Sequence, residues 1–543
     1  MKSINTRITS ESRHFWHMAP KRMLVLFFGA VFVAWVVILI VFAALSRRDP
    51  LFFDALGQVD VSAQYVSEIP MTRYIFEPFA GIVFILFVNP YDALVAIPIG
   101  YAIARVAQAF FTKVLMRGNQ KVAIFARYAR DFVAFLLKYT GIGLLVGAVI
   151  LFIGWAIAGA HFFMTSYMLG LHIISWYAIV LIAIKVVHHA VVFCHPRMAL
   201  KEPAARPWAS LPKTSPKYHA FKALGLVGRE ARYALAGIVL VMVGFFTLAS
   251  AVLPNYTIRT TLAPNEYLFD LHVHTWYSDG SLSPQQRVDW YIQQGIHGAA
   301  FTDHEGLKGA LEAKAYVEQN HLDFTVIIGQ EYTDLVNDIH LNIYGTLEQF
   351  APLDQANPMY PDIHFLNVSD CIIAAKAAGA FVTVNHYSGS PGTPYRYDEL
   401  HAWGVDGFEI VNGGTEHSSA IREYCLNHGL ACLGGTDEHM NGDVNTLVRV
   451  SMMNPSNLTE LFTVLKMNTH QVVLVDYMTN PLDIGGRTRQ PNPIRPFVNY
   501  FLNLDGAQIG SWFAWSGISF TAFIAFFVIV KKTPLTRFDK RME

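Results

Sequence analysis

The sequence has little charge and little cysteine for its length. Only 15% of its 543 residues are Asp, Glu, Lys or Arg and the formal net charge is zero, which argues against a generally basic nucleic-acid binder. The four cysteines include no CxxC pair, which excludes a zinc ribbon and a small disulfide framework. Cys371, Cys425 and Cys432 fall in one polar region, so at least one is unpaired within it. A bridge between Cys425 and Cys432 stays open.

Apolar residues are abundant instead, and they are clustered in long runs. Residues 23–45 carry no charge and would extend for about 30 Å as a helix, which is enough to cross a bilayer. A cleaved signal peptide is the competing interpretation, but the run is too long and further runs follow it. Further membrane spans are predicted at 133–158, 168–194, 233–253 and 511–530.

The stretch from Tyr74 to Phe111 is ambiguous, because Asn89-Pro90-Tyr91-Asp92 interrupts it. It could cross once, cross twice or re-enter. The N-terminus and the segments 113–130 and 196–232 are rich in Lys and Arg, as cytoplasmic segments are. If the N-terminus and segment 113–130 are both cytoplasmic, the stretch from Tyr74 to Phe111 must cross an odd number of times, most simply once. The chain then has about six spans.

The expected organisation is an α-helical membrane bundle interrupted by one polar α/β domain. The tail after the last span is also basic, so both flanks of the polar region point inward and the region itself should be extracytoplasmic. The expected parts are a cytoplasmic tail at 1–22, a membrane domain with about five helices at 23–253, a polar domain at 265–480, a final span at 508–531 and a basic cytoplasmic tail at 532–543.

The polar region alternates short apolar runs with helical patterns, which predicts a parallel α/β sheet or barrel. The predicted strands are YLFDLHV, HGAAFTD, DFTVIIG, IHLNIYG, AFVTVNH, DGFEIVN and LACLGGTD. The predicted helices are 284–294, 306–320, 369–378, 417–428 and 456–467.

Potential metal ligands follow these strands. Thirteen of the 21 histidines lie between 265 and 480. His272 and His274 can share one face of a strand, since residues i and i+2 do so, and Asp437 and His439 repeat the spacing in GGTDEH. Imidazoles and carboxylates without thiolates suit zinc, manganese or iron. The nine candidate ligands are His272, His274, Asp279, His304, Glu331, His340, His386, Asp437 and His439.

In order and spacing these residues resemble the PHP (polymerase and histidinol phosphatase) family, over about 170 residues. The resemblance implies a distorted (β/α)7 barrel with three divalent metal ions. One ion would be held by His272, His274, Glu331 and Asp437, a second by Glu331, His340 and His386, and a third by Asp279, His304 and His439. Glu331 would bridge ions.

The resemblance implies a metal-dependent phosphatase or phosphodiesterase in which a metal-bridging hydroxide attacks the phosphoester. Asp437, His439 and Glu331 are the expected catalytic groups, and Arg396 is a candidate phosphate clamp. Asp303 and Glu438 could orient ligands. Asn412, His417 and Lys308 are weaker candidates, for which capping, loop hydrogen bonding or solvation is an equal explanation.

The expected location is the inner membrane of a bacterium, with the catalytic domain in the periplasm. The expected partners are membrane lipid and a phosphoester that could be lipid-linked; no nucleic acid is expected, and the sequence leaves the oligomeric state open. The alternative function is a transporter or sensor in which a PHP-like domain binds metal only for regulation. Few ionisable residues lie in the spans, chiefly Lys185 and His172, which disfavours a transport path.

Overall fold

The computed structural model describes residues 26–46, 50–87, 90–110, 120–194, 210–413, 416–480, 482 and 492–532. The two basic tails at 1–22 and 533–543, and the basic segments 113–119 and 196–209, lie outside the described residues.

Long apolar helices form one part of the molecule. Four described helices are long and apolar enough to cross a membrane: Leu26–Leu45, Arg127–Met164, Tyr167–Val191 and Pro216–Ala249. The helices of this part are α1 (Leu26–Leu45), α2 (Met71–Phe87), α3 (Pro90–Phe110), α4 (Gln120–Met164), α5 (Tyr167–Cys194), α6 (Pro216–Ala249), α13 (Arg495–Leu502) and α14 (Gly506–Lys532).

Two features of this helical part bear on the predicted spans. The ambiguous stretch is divided into α2 and α3, so it is not one continuous helix, and its number of crossings stays a prediction. Helix α14 begins at Gly506, close to the predicted start of the last span at 508. The apolar side chains of the long helices face outward, as Leu145 and Phe152 do at 66% exposure each. Large exposed apolar surfaces of this kind are typical of membrane contact.

The second part is an α/β domain, and all seven predicted strands are present. Its main helices are α7 (Pro284–Gln294), α8 (Lys308–Asn320), α9 (Val368–Ala377), α10 (Tyr397–Trp403), α11 (Ser419–His428) and α12 (Leu458–Lys466). The strands of the chain are β1 (Leu51–Asp54), β2 (Val59–Asp60), β3 (Tyr65–Glu68), β4 (Thr257–Thr260), β5 (Glu266–Val273), β6 (Gly298–Phe301), β7 (Thr325–Asp334), β8 (Ile339–Tyr344), β9 (Gln349–Pro352), β10 (Ile363–Leu366), β11 (Phe381–Val384), β12 (Gly407–Asn412), β13 (Glu416–His417), β14 (Ala431–Gly435), β15 (Thr446–Ser451) and β16 (Gln471–Asp476).

The main sheet has the order β13-β12-β11-β8-β7-β6-β5-β15-β16-β1-β2, with β14 paired to β12. It curves so that β14 also contacts β5. Strands β5, β6 and β7 run parallel to one another, as do β11, β12 and β14. The expectation of a wholly parallel sheet is wrong at β8, which pairs antiparallel with β7 and β11. Only four residues separate β7 from β8, so the chain has no room for the crossover that a parallel connection needs.

Local sequence explains the helices of the α/β domain. Helix α7 begins with a capping box, in which the hydroxyl of Ser283 accepts from the backbone of Gln286 and the Gln286 side chain accepts from the backbone of Ser283. It ends at Gly295, whose φ of 83° is the left-handed conformation of a helix C-terminus. These helices pack on the sheet and enclose a core that includes Leu341 and Phe408, both fully buried.

The segment between the first two helices of the chain joins this sheet. Strand β1 pairs antiparallel with β16, and β3 pairs with β4, just before the predicted polar domain. Strands β1 and β2 lie outside the predicted 265–480 region, yet they extend its sheet, whereas β3 and β4 form a separate two-stranded sheet. The α/β domain is therefore assembled from two distant segments of the chain.

The C-terminus of α6 is also tied to the α/β domain. The Asn441 side chain donates to the carbonyls of Leu248 and Ala251, each at 2.6 Å, and Gln286 donates to that of Ser250 at 3.0 Å. The last carbonyls of a helix have no partner within the helix, so side chains that bind them stabilise its end. Because Asn441 lies two residues after His439, this end of α6 is joined to a loop that carries candidate metal ligands.

Candidate metal centre

All nine candidate ligands lie in one cluster at one end of the sheet. Parallel strands place their carboxyl ends at the same edge, which is where side chains that follow β5, β6, β11 and β14 meet. His272 and His274 are completely buried, with their Nε2 atoms only 3.1 Å apart. His274 Nε2 is also 3.0 Å from Asp437 Oδ1. Two imidazole nitrogens that face each other beside a carboxylate need a proton or a cation between them.

Glu331 lies at the centre of this cluster. Its Oε2 is 3.1 Å from His304 Nδ1 and 3.4 Å from His274 Nε2. Its Oε1 is 3.0 Å from His340 Nδ1 and 3.3 Å from His386 Nε2. The two oxygens thus face different sets of histidines, which is the geometry that a carboxylate bridging two ions requires.

Three groups of donor atoms are close enough to hold an ion: His274, Asp279, His304 and His439; His272, His274 and Asp437; and His304, Glu331 and His340. These overlap the three sets that the resemblance implied, but His274 and His304 are each shared between two groups. His386 is in none of the three groups and contacts Glu331 instead.

The donor set fits divalent ions. Six imidazoles and three carboxylates converge, and the donor atoms within each group lie within 4.8 Å of one another. Nitrogen and carboxylate oxygen suit zinc, manganese and iron, and no cysteine of the described residues joins the groups. Cys371, Cys425 and Cys432 are buried, free thiols elsewhere in the core, so the open Cys425–Cys432 bridge is not formed.

Charge within the cluster shifts its titrating groups strongly. Burial opposes the ionisation of Asp437, but the charges of His272 and His439 outweigh it and hold the pKa of this carboxyl well below its usual range. Burial likewise lowers the pKa of His439, but Asp279 and Asp437 outweigh it and raise this pKa to about 9. Ionised carboxylates are the form that binds metal, whereas each imidazole must release its proton to do so.

A surrounding layer of polar residues holds the ligands, and Glu409 is its main member. Its Oε1 is 2.8 Å from His272 Nδ1, and its Oε2 accepts from the backbone of His386 at 3.0 Å. Thr333 Oγ1 is 2.6 Å from His304 Nδ1. The Asn385 side chain donates to Glu331 Oε1 at 3.0 Å. Such partners fix the orientation of metal ligands.

None of these supporting residues is among the candidate ligands predicted from the sequence. Glu409 was predicted only as part of a strand, although a carboxylate inside the otherwise apolar run GFEIV is a signal of a buried partner. Asp270 in YLFDLHV carries the same signal. It is fully buried, and it accepts from Tyr291 Oη at 2.6 Å and from Thr436 Oγ1 at 2.5 Å. Tyr291 and Thr436 are distant in sequence, so only the fold reveals them.

The backbone around the cluster is strained and closely packed. His386 and Asp437 have φ values of 27° and 51°, which non-glycine residues rarely adopt and which cluster at functional sites. At Gly435 a Cβ atom would lie 2.4 Å from the His272 Cβ, so glycine is required for β14 to approach β5. Both features bring ligands from neighbouring strands into contact.

The weaker candidates divide into two groups. Asp303 is buried and accepts from Thr275 and Ser278, and Ser278 lies 3.3 Å from His274 Nδ1. Asn412 donates to Glu409 at 3.0 Å. Glu438 binds the backbone of Met440. These three lie in or beside the supporting layer.

The others lie apart from it. The exposed Arg396 precedes α10, where its backbone donates to Glu399, and no described ion pair joins its guanidinium to the cluster. His417 packs against Phe53. Lys308 lies over the Tyr277 ring. The role proposed for Arg396 stays a prediction.

Residues 270–362 match the family model described as the PHP domain. Among curated proteins, none matches the chain at a significant level. The PHP resemblance is thereby confirmed for this part of the chain, which contains the first six candidate ligands.

Solved structures with similarity to the chain include three of interest. A two-domain protein from Bacteroides vulgatus, described as containing a predicted PHP-like metal-dependent phosphoesterase, is 22% identical over 39% of this chain and 66% of its own, with a TM-score of 0.32. A proposed metal-dependent phosphoesterase from Bifidobacterium adolescentis is 20% identical over 36% and 95%, with a TM-score of 0.27. A lesion-specific endonuclease from Pyrococcus furiosus is 13% identical over 39% and 58%, with a TM-score of 0.29. At these TM-scores, no conclusion about this chain depends on them.

Proposed function

We propose that this chain is a membrane-embedded, metal-dependent phosphoesterase that hydrolyses a phosphomonoester or phosphodiester. The PHP match supports a metal-dependent phosphoester hydrolase at the level of the family. The observation that carries the proposal is the position of Glu331, whose two oxygens face different histidines within a cluster of nine donors. A purely structural cluster does not require nine ionisable groups to converge in a buried place.

The residues have distinct tasks in this proposal. His272, His274 and Glu331 are sealed from solvent and would hold ions, with Glu409 keeping the His272 ring in place. Asp279, Asp437 and His439 are the most exposed of the nine ligands, at 22%, 20% and 33%, so they face the side from which a phosphoester would enter. Divalent ions bound there would lower the pKa of water and offset charge on the phosphate oxygens.

The direct test is an assay of the full-length protein with several phosphoesters in manganese, zinc and iron. His272→Ala and Asp437→Ala should abolish phosphate release with each active metal. His364→Ala is the matched control, because this histidine is not one of the nine candidate ligands. Its side chain is half exposed and pairs with Glu348. Equal activity in all four proteins would contradict the catalytic proposal.

The proposed substrate is a lipid-linked or envelope phosphoester, and the proposed location of the α/β domain is extracytoplasmic. Four helices suited to a membrane support membrane association. The side on which the domain lies can be measured with a topology reporter fused near Asn265 and another after Glu543. A cytoplasmic signal near Asn265 would overturn the proposed location.

A further inference from the structure

A cavity of about 590 Å³ lies between the candidate metal centre and the helical part. Asp437 and His439 line one side of it, and Arg73, Glu77 and Leu253 line the other. Asp437 and His439 are also two of the partly exposed ligands, whereas His272 and His274 are sealed. The cavity therefore reaches an accessible edge of the centre.

Helix α2 forms the wall that separates this cavity from the surroundings of the helices. Arg73, Glu77 and Ala80 are buried and line the cavity, and their spacing of i, i+4 and i+7 places them on one helical face. Phe76 and Phe79 are exposed on the outer side of the helix, and neither is among the described lining residues. From Arg73 to Ala80 the helix rises about 10 Å, so the cavity extends for about two turns along a helix whose outer face is apolar.

The positive charge of Arg73 in the cavity is already compensated by acidic neighbours. The Arg73 guanidinium donates to Glu77 at 3.0 Å and to the Pro254 carbonyl at 3.1 Å, and it lies 3.7 Å from Asp443. Glu77 in turn accepts from Tyr500 Oη at 2.5 Å. Arg73 is the only Lys or Arg among the described lining residues, whereas carboxylates also include Glu438 and Asp476. A second anionic group on a ligand would meet repulsion here.

Apolar and aromatic side chains form much of the remaining wall, beside the amides of Asn441, Asn445 and Asn503. Leu253, Val475 and Leu504 contribute aliphatic surface, and the rings of Tyr256 and Tyr477 stack with centroids 5.1 Å apart. Burial of methylene groups against such walls stabilises a complex. The walls thus favour an uncharged chain over a charged one.

We propose that this cavity binds the uncharged, apolar alcohol portion of the substrate while its phosphoryl group lies at the metal centre. The inference rests on the proposed function and gives the substrate a chemical class: an amphiphilic phosphoester with one anionic group. The cavity is then the specificity-determining part of the site, and Leu253 is one of its contact residues.

The test compares three phosphonates that are not hydrolysed: methylphosphonate, hexylphosphonate and 5-carboxypentylphosphonate. Each is titrated calorimetrically into the manganese-loaded full-length protein in lipid nanodiscs, with empty nanodiscs subtracted. Hexylphosphonate should bind at least ~10-fold more tightly than methylphosphonate, because its extra methylene groups are buried. The carboxylate-bearing chain should lose this advantage, because it brings a second anion to an acidic wall.

Leu253→Trp fills the cavity and should reduce the advantage of hexylphosphonate while leaving the affinity for methylphosphonate unchanged. Met478→Trp introduces the same ring at another lining residue and serves if the first variant does not fold. Phe79→Trp is the matched control, because it places the same ring on the outer face of α2. Absence of the hexyl advantage, or its persistence in both cavity variants, overturns the inference.

Turnover of hexyl phosphate and methyl phosphate is measured alongside binding. A hexyl preference in binding without any hydrolysis would support the cavity and overturn the proposed function. Hydrolysis of both esters at equal kcat/KM, with no hexyl preference in binding, would support the function and overturn the cavity.

Discussion

The two parts of this chain place their apolar residues in opposite ways. In the α/β domain, large apolar side chains such as Leu341 and Phe408 are fully buried. In the long helices, Leu145 and Phe152 are each 66% exposed, whereas the ionisable Lys185 is 8% exposed and pairs with Asp131. A side chain is buried when its surroundings solvate it poorly, so this inversion indicates that the two parts face different solvents.

The α/β domain and the long helices meet beside the candidate metal centre. The loop that follows β14 carries Asp437 and His439, and its Asn441 binds the end of α6. Strands β1 and β2, which lie between α1 and α2 in the chain, extend the main sheet of the α/β domain. The α/β domain is therefore not a unit tethered by one helix, because the segment between α1 and α2 extends its sheet, the end of α6 binds the loop that carries candidate metal ligands, and α2 lines the adjacent cavity.

The largest expected difference between the two parts lies in their effect on catalysis. His272→Ala removes an imidazole from the centre of the cluster, so kcat/KM for a phosphoester should fall by more than the ~100-fold that loss of an outer partner causes. Bound metal, measured by elemental analysis, should fall with it. Lys185→Gln removes a charge from the helical part and should leave both quantities near those of the unsubstituted protein.

The opposite result for these two variants would contradict the assignment of catalysis to the α/β domain. If Lys185→Gln abolished activity while His272→Ala did not, the helical part would carry the function and the metal would be regulatory. This outcome would favour the transporter or sensor alternative.

Removal of metal should destabilise the α/β domain and spare the long helices. Metal that binds only the folded state stabilises it by about 2.7 kcal/mol when its concentration is 100 times Kd. A chelator should therefore lower the thermal midpoint reported by the fluorescence of the buried Trp290, read in a variant that retains only this tryptophan. Helical circular dichroism should persist at that temperature. In His272→Ala the chelator should have a smaller effect, and an unchanged midpoint in the native protein would contradict metal binding.

Much of the fold followed from local pattern. Each of the seven predicted strands lies where an apolar run ends in polar residues, and helix 284–294 has the predicted bounds because a capping box and a glycine mark its ends. The antiparallel pairing of β8 and the added strands β1 and β2 could not be predicted from local pattern. They depend on pairing between distant segments, such as β1 with β16, which periodicity within either segment does not encode.

The same distinction holds for the candidate site: features local in sequence could be predicted, and contacts between distant residues could not. The ligands could be named because each lies at or beyond the end of a recognisable strand, and the resemblance supplied their order. The partners Glu409 and Thr333 could not, because their roles depend on contacts with His272 and His304 that arise only in the folded chain. The sharing of His274 and His304 between donor groups likewise could not be predicted, because it depends on distances in the folded chain.

Glu409→Gln should have an intermediate effect. It keeps the size of a side chain that lies 2.8 Å from His272 Nδ1 but removes its charge, so His272 becomes less basic and less firmly oriented. Metal affinity should fall by about 10- to 100-fold, measured by competition with a coloured chelator. Glu423→Gln is the matched control on the exposed surface of α11. Equal affinities in the two variants would remove Glu409 from the supporting layer.

The smallest expected effect tests the connection between the two parts. Asn441→Ala removes two hydrogen bonds to the end of α6, each of which contributes about 1 kcal/mol to stability. The domain should unfold at a lower temperature, and because Asn441 lies in the same loop as His439, metal affinity should fall by less than in Glu409→Gln. The matched control is Asn454→Ala, an exposed asparagine whose side chain bonds only its own turn. If metal affinity fell equally in Asn441→Ala and Asn454→Ala, the end of α6 would have no influence on the metal centre, and the two parts would share a boundary without being coupled.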